Sequence, residues 1–193
     1  FQEGAWLDDL SGALWSTAMI ERSRVEAAPS LERIVIGVDP AVTSGKDSDE
    51  TGIVTAGRGA DGHYYVLADA SCRERPAGWA ARVRDEYRRF RADRVVAEVN
   101  NGGDLVETVL RSQELDLPFR QVRAMRGKIA RAEPVAALYE QGKVHHVGCF
   151  RELEEQMTSF TPQTGTGSPD RLDALVWAMT VLMEPASPRF IPA

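Results

Sequence analysis

"RIVIGVDPAVTSGKDSDETGIV", residues 33–54, decides how this chain is read. An apolar strand (Ile34, Val35, Ile36, Val38) runs into a glycine-containing turn and Lys46, the outline of a phosphate-binding loop. The same strand ends on an acid, Asp39, and the loop carries Asp47, Asp49 and Glu50. A Walker loop needs Gly, four residues, then Gly-Lys-Ser/Thr, so that backbone N–H groups cradle phosphate and a hydroxyl binds magnesium. Counting back from Gly45-Lys46, the first glycine position is Pro40, which has no N–H to offer. The hydroxyl position is Asp47, whose charge repels phosphate. The nucleotide reading fails, and Asp39 becomes a candidate metal ligand in search of partners. Asp47, Asp49 and Glu50 receive no role.

The chain has 193 residues, 43% hydrophobic and 27% charged, enough for one globular domain with its own core. It begins at Phe1 rather than Met, so a piece of a longer polypeptide is expected. No run reaches the roughly 20 apolar residues of a membrane span, and no signal peptide is visible. Cys72 and Cys149 lie far apart, without the Cys/His clustering of a zinc site, and suit a reducing compartment. His145 and His146 sit in a strand-like "KVHHV" and read as surface or half-buried histidines rather than ligands. The net charge of −6 gives no overall attraction for nucleic acid. The charge is unevenly spread, however. "FRQVRAMRGKIARA", residues 119–132, holds Arg120, Arg123, Arg126, Lys128 and Arg131 with no acid. Its plainest reading is a solvated edge strand followed by a helix start.

Residues 1–30 read as a short amphipathic segment (Trp6, Leu7, Leu10, Leu14, Trp15, Met19, Ile20) and a linker, either the tail of an upstream domain or a helix docked on this one. Three strands follow, Arg33–Asp39, Gly52–Ala56 and Tyr64–Asp69, joined as an antiparallel meander with an Asp-Gly turn. After Pro76 the period changes. Trp79, Val83, Tyr87 and Phe90 mark a helix, "DRVVAEVN" a buried strand ending on Glu98, and Leu105, Val106, Val109 and Leu110 a second helix. A strand at Phe119–Ala124, a helix from Lys128 to Gln141, a strand at Val144–Val147, a helix at Phe150–Phe160 and a last helix from Pro169 complete the order. Three meandering strands and then alternating helices and strands are the order of a ribonuclease H-like α/β fold, with a mixed sheet flanked by helices. In it strand one lies parallel to the Arg94–Val99 strand, so Asp39 and Glu98 meet at adjacent carboxyl ends, where open α/β sheets bind ligands.

Glu98 is hard to explain otherwise, because a buried unpaired carboxylate costs several kcal/mol. Two such acids side by side repel unless a cation lies between them. "SPDRLDALVWAMTVL" adds Asp170 and Asp173, three apart on one helix face, with Ser168 as the expected N-cap. Asp170 has a second explanation as a first-turn acid favoured by the helix dipole. Asp173, placed beyond the first few positions, has none. Carboxylates without histidine or cysteine make a hard oxygen site for magnesium or manganese. Two such ions can together cleave a phosphodiester.

At this point the chain resembles the C-terminal nuclease domain of the large terminase subunit of tailed phages and gene transfer agents. The resemblance is carried by "IVIGVDPA", "DETGIVTAG", "VVAEVNNGGDLV", "GKIARAEPVAALYEQGKV", "FTP" and "SPDRLDALVWA". It implies a two-metal endonuclease, using Mg2+ or Mn2+, that cuts concatemeric double-stranded DNA during genome packaging. Asp39, Glu98, Asp170 and Asp173 fall on the family's metal-binding carboxylates, and Lys128 and Arg131, with Arg126 beside them, on a basic patch facing DNA. It further implies an upstream ATPase motor joined through residues 1–30 to a nuclease domain at 31–193. Portal and small terminase subunit would be the partners, and the place of action the bacterial cytoplasm, at the procapsid portal. Many relatives carry His-Asp-Asp where this chain has Ser168-Pro169-Asp170, which leaves open how Asp170 and Asp173 divide their work. Three other readings compete: a Holliday-junction resolvase of the same fold, a packaging module that grips DNA or docks on the portal without cutting it, and an actin-like or sugar-kinase ATPase. The last needs two lobes, for which the chain is short.

Overall fold

A computed structural model describes residues 11–40, 50–99, 103–113, 116–161 and 169–185. Asp47, Asp49, Ser168, Trp6, Leu7 and Leu10 lie outside the described residues. Six strands form one sheet: β1 (Leu31–Asp39), β2 (Gly52–Gly59), β3 (Tyr64–Asp69), β4 (Arg94–Glu98), β5 (Phe119–Val122) and β6 (Val144–His146). Their order is β5-β4-β1-β2-β3-β6. β1, β2 and β3 pair antiparallel, while β4 runs parallel to β1, β5 to β4 and β6 to β3. This is the expected mixed sheet. β2 continues past Ala56 to Gly59, because the ladder with β1 extends as far as Leu31 and shortens the turn. β5 stops at Val122, two residues sooner than expected.

The helices are α1 (Thr17–Glu21), α2 (Pro76–Phe90), α3 (Gly103–Gln113), α4 (Lys128–Glu140), α5 (Arg151–Ser159) and α6 (Asp170–Met183). Strand periodicity divides the core between the two faces. Ile36 and Val38 of β1, with Val95 and Ala97 of β4, pack toward Trp79 and Val83 of α2 and Leu110 of α3. Val35 and Val96 face the other way, into a cluster with Leu175, Met179 and Leu182 of α6, Val135 and Tyr139 of α4 and Leu153 and Met157 of α5. By the same alternation Asp39 and Glu98 belong to the α6 face. Trp15 and Ile20 are buried in that second cluster, so the segment from residue 11 is docked on this core. His146 is buried rather than at or near the surface, and its ring is hydrogen-bonded inside the core. It is 1% exposed, with Nε2 2.8 Å from the Tyr139 hydroxyl and Nδ1 2.8 Å from Glu154.

Two glycines let α6 lie directly on the sheet. A Cβ on Gly37 would collide with the Ala174 carbonyl oxygen, and one on Gly52 with the Asp170 carbonyl oxygen. Gly52 is the antiparallel partner of Asp39. The bare backbone at these positions therefore brings the first turn of α6 against the end of β1.

Candidate active site

Four carboxylates converge at that end. The last parallel register pair of β1 and β4 is Val38–Ala97, so Asp39 and Glu98 come next on adjacent strands. Asp170 and Asp173 arrive from the first turn of α6. Asp39 feels all three of the others. Burial, and then the charges of Asp173, Asp170 and Glu98, push its pKa from 3.8 up to about 8, with Lys128 opposing. Burial also raises Asp173, which is 5% exposed, against the pull of Lys128. Lys128 donates to Asp173 Oδ2 at 2.5 Å. Glu98 is fixed from a third side: the Trp177 indole N–H donates to Oε2 at 2.8 Å, and an Arg131 guanidinium nitrogen lies 3.9 Å from the same oxygen. Arg131 stacks over the Trp177 ring at 4.6 Å and donates to the Arg126 carbonyl at 2.9 Å.

Helix α6 begins at Asp170, with Pro169 in the N-cap position and no side-chain cap, rather than one residue earlier behind Ser168. The consequence is a correction to the reading of Asp173. It too lies in the first turn, so the helix dipole is available to both acids and does not distinguish them. Burial does: it holds the Asp173 pKa up in spite of the dipole. The missing cap comes from α5, where Gln156 Oε1 accepts the backbone N–H groups of Arg171 (3.0 Å) and Leu172 (3.2 Å).

Of the basic residues, Arg126 and Lys128 are exposed, whereas the Arg131 side chain is 10% exposed and serves Glu98. Sequence reasoning passed over Trp177, although it stands four residues beyond Asp173 and hence on the same helix face. It also passed over Arg171. That guanidinium grips Glu50 through two bonds (2.7 and 3.0 Å) and Asp69 through one (2.7 Å), and contacts Glu152. Burial works against the Arg171 charge, but Glu50 and Asp69 more than offset it and raise its pKa. Through Asp69 and Glu50, the latter left without a role by the sequence, Arg171 ties the end of β3 and the residues before β2 to the first turn of α6.

Among the described residues no three acidic, histidine or cysteine side chains already close on one point. The donor set nevertheless suits a hard divalent cation. It is all oxygen, it is short of positive charge by the measure of Asp39, and a lysine ammonium already sits against Asp173.

The terminase RNaseH-like domain family matches residues 36–182. The chain belongs to this family. No curated protein matches it. Among solved structures, the P22 large terminase nuclease domain is similar with a TM-score of 0.68 at 11% identity, covering 89% of this chain and 94% of that one. The large terminase nuclease from thermophilic phage G20c gives 0.57 at 18% identity, covering 77% and 81%. That G20c nuclease has been crystallised with zinc, cobalt and magnesium bound. The large terminase from a second thermophilic bacteriophage gives 0.63 at 12% identity, and this chain spans 44% of its length. At such identities the likeness shows the fold, a terminase nuclease fold of the ribonuclease H-like kind. No helix among the described residues is long and apolar enough to cross a membrane.

Proposed function

We propose that this terminase nuclease domain is a divalent-metal-dependent endonuclease that cuts concatemeric double-stranded DNA during genome packaging. The observation that carries the reading is the meeting of Asp39 and Glu98, at adjacent strand ends, with Asp170 and Asp173 of the first turn of α6, a crowding that pushes the Asp39 carboxyl up. A fold does not keep such a cluster for its own stability, since like charges at low dielectric oppose folding. Asp39, Glu98 and Asp173 would hold the metal, with Asp170 completing a second position. Magnesium or manganese bound there would supply Lewis acidity to the scissile phosphate and lower the pKa of the attacking water.

The chain's own residues do the rest. Trp177 and Arg131 both reach Oε2 of Glu98 and so orient its carboxylate at the end of β4. Lys128 balances Asp173 until a cation takes over, and its exposed ammonium is then available to a DNA phosphate, as is the guanidinium of Arg126. Gln156 and Arg171 fix the first turn of α6 and thereby the pitch of Asp170 and Asp173. An upstream ATPase, the portal and a small terminase subunit are the partners this assignment brings with it, at the portal in the host cytoplasm. Supercoiled plasmid tests the proposal. Nicking and linearisation are expected with magnesium or manganese and not with chelator. Intact plasmid under every metal condition would favour the non-cleaving packaging module, and cutting confined to four-way junctions would favour the resolvase.

A further inference from the structure

Among the described residues two large apolar side chains stand exposed, Met125 at 95% and Leu105 at 63%. Both follow strands whose carboxyl ends lie at the acid end of the sheet. β4 and β5 are parallel neighbours with Glu98 opposite Val122. Met125 follows closely after Val122, and Leu105 lies in the first turn of α3, the helix that comes after β4 in the chain. The loop that bears Met125 is fastened to the site at two points. Arg131, reaching toward Glu98, donates to the carbonyl of Arg126, the residue next to Met125. Lys128, at the loop's other end, bonds Asp173. Met125 is thus held at the mouth of the site and presented to solvent.

Its surroundings select the partner. Arg123, Arg126 and Lys128 are exposed around it, and residues 119–132 contain no acid in a chain whose net charge is −6. An apolar side chain left in water forgoes about 1.5–3 kcal/mol of burial and returns nothing to the fold. Cations around an apolar tip match a nucleic acid, with phosphates outside and base faces within. Apolar side chains of this kind, methionine among them, enter between base steps from the minor groove and partly unstack them.

Resting on the nuclease reading above, we propose that Met125 is a wedge. It enters the DNA base stack beside the cleaved phosphodiester, carried there by Arg123, Arg126 and Lys128, with Leu105 on the flank. Unstacking is easiest at pyrimidine–purine steps, TA and CA/TG. Cut-site choice would then follow the deformability of the DNA rather than contacts with base edges, and so would be a weak preference spread over many sequences.

Two readouts test this on wild type, Met125→Ser and Met125→Leu, whose melting temperatures should agree because the side chain is exposed. In the first, plasmid ends cut with manganese are sequenced. Wild type and Met125→Leu should show a several-fold enrichment at TA and CA/TG steps that Met125→Ser loses. In the second, 2-aminopurine in a TA step of a short duplex is followed with calcium as the only divalent ion, at equal occupancy by anisotropy. It should brighten with wild type and Met125→Leu and stay dim with Met125→Ser. Enrichment and fluorescence that survive in Met125→Ser overturn the wedge and leave Met125 as a contact for a protein partner. A wild-type chain that cuts no DNA sinks the nuclease reading, and the calcium readout then still decides the wedge by itself.

Discussion

Replacing Asp39 with asparagine should stabilise the metal-free protein while destroying its activity. In the fold the Asp39 carboxyl keeps its proton up to about pH 8, whereas the unfolded chain releases it near 3.8. Between these values the unfolded state binds fewer protons than the native one, so this group makes stability fall as pH rises. Each pKa unit is worth about 1.4 kcal/mol. At pH 7, roughly three units above 3.8, the cost reaches an upper bound of about 4 kcal/mol, and side-chain relaxation and water entry reduce it. The neutral amide of the variant would carry no such cost, and for a domain of this size each kcal/mol moves Tm by about 2–4 °C. Thermal melts in chelator should therefore place Asp39→Asn several degrees above wild type at pH 8, with the gap closing as pH falls toward 4. Adding manganese should reverse the order, raising wild type and leaving the variant unmoved, because only the native site of the wild type binds the ion. A variant that melts at or below wild type at pH 8, or a gap that does not depend on pH, would refute the claim that Asp39 sits in a repulsive acid cluster.

Asp173→Asn should lose nearly all cleavage, while Asp170→Asn should be milder and partly rescued by higher manganese; a dead Asp170→Asn beside an active Asp173→Asn would reverse their order. Trp177→Phe removes the donor to Glu98 and keeps the packing, so plasmid nicking should fall about 10–100-fold, the range for partners of metal ligands, with little change in melting temperature. Lys128→Ala should weaken DNA binding equally across sequences and lower the salt slope by about 1, as measured by anisotropy at several salt concentrations; an unchanged slope removes Lys128 from the DNA interface.

The sheet was legible because strand parity is a property of sequence. Val35 and Asp39 of β1, and Val96 and Glu98 of β4, share a face by period alone, and the crossover rule then sets the two acids side by side. Glu98 was found by its cost, as a carboxylate closing an apolar strand, whereas Asp39 alone reads as a turn-starting residue before Pro40 and gained its role from lying beside Glu98. The supports were harder to see. Gly37 and Gly52 read as ordinary strand glycines until α6 is laid across them. The start of α6 was misplaced by one residue because its cap is not local. Gln156, on another helix, supplies what a serine or aspartate in the preceding turn would have supplied. Arg171 and Glu50 are far apart in sequence, and nothing in either segment signals that they meet. The resemblance implied a DNA-facing role for Arg131, and nothing in the basic run signals that its guanidinium stacks on Trp177 of α6 and reaches toward Glu98.

The central claim is that Asp39, Glu98 and Asp173 form a divalent metal centre, and anomalous scattering from crystals soaked in manganese tests it most directly. An ion is expected in direct contact with oxygens of Asp39, Glu98 and Asp173, with Lys128 displaced from Asp173. Crystals saturated with manganese that show no ion at this sheet end, with the Lys128–Asp173 bond intact, would contradict it.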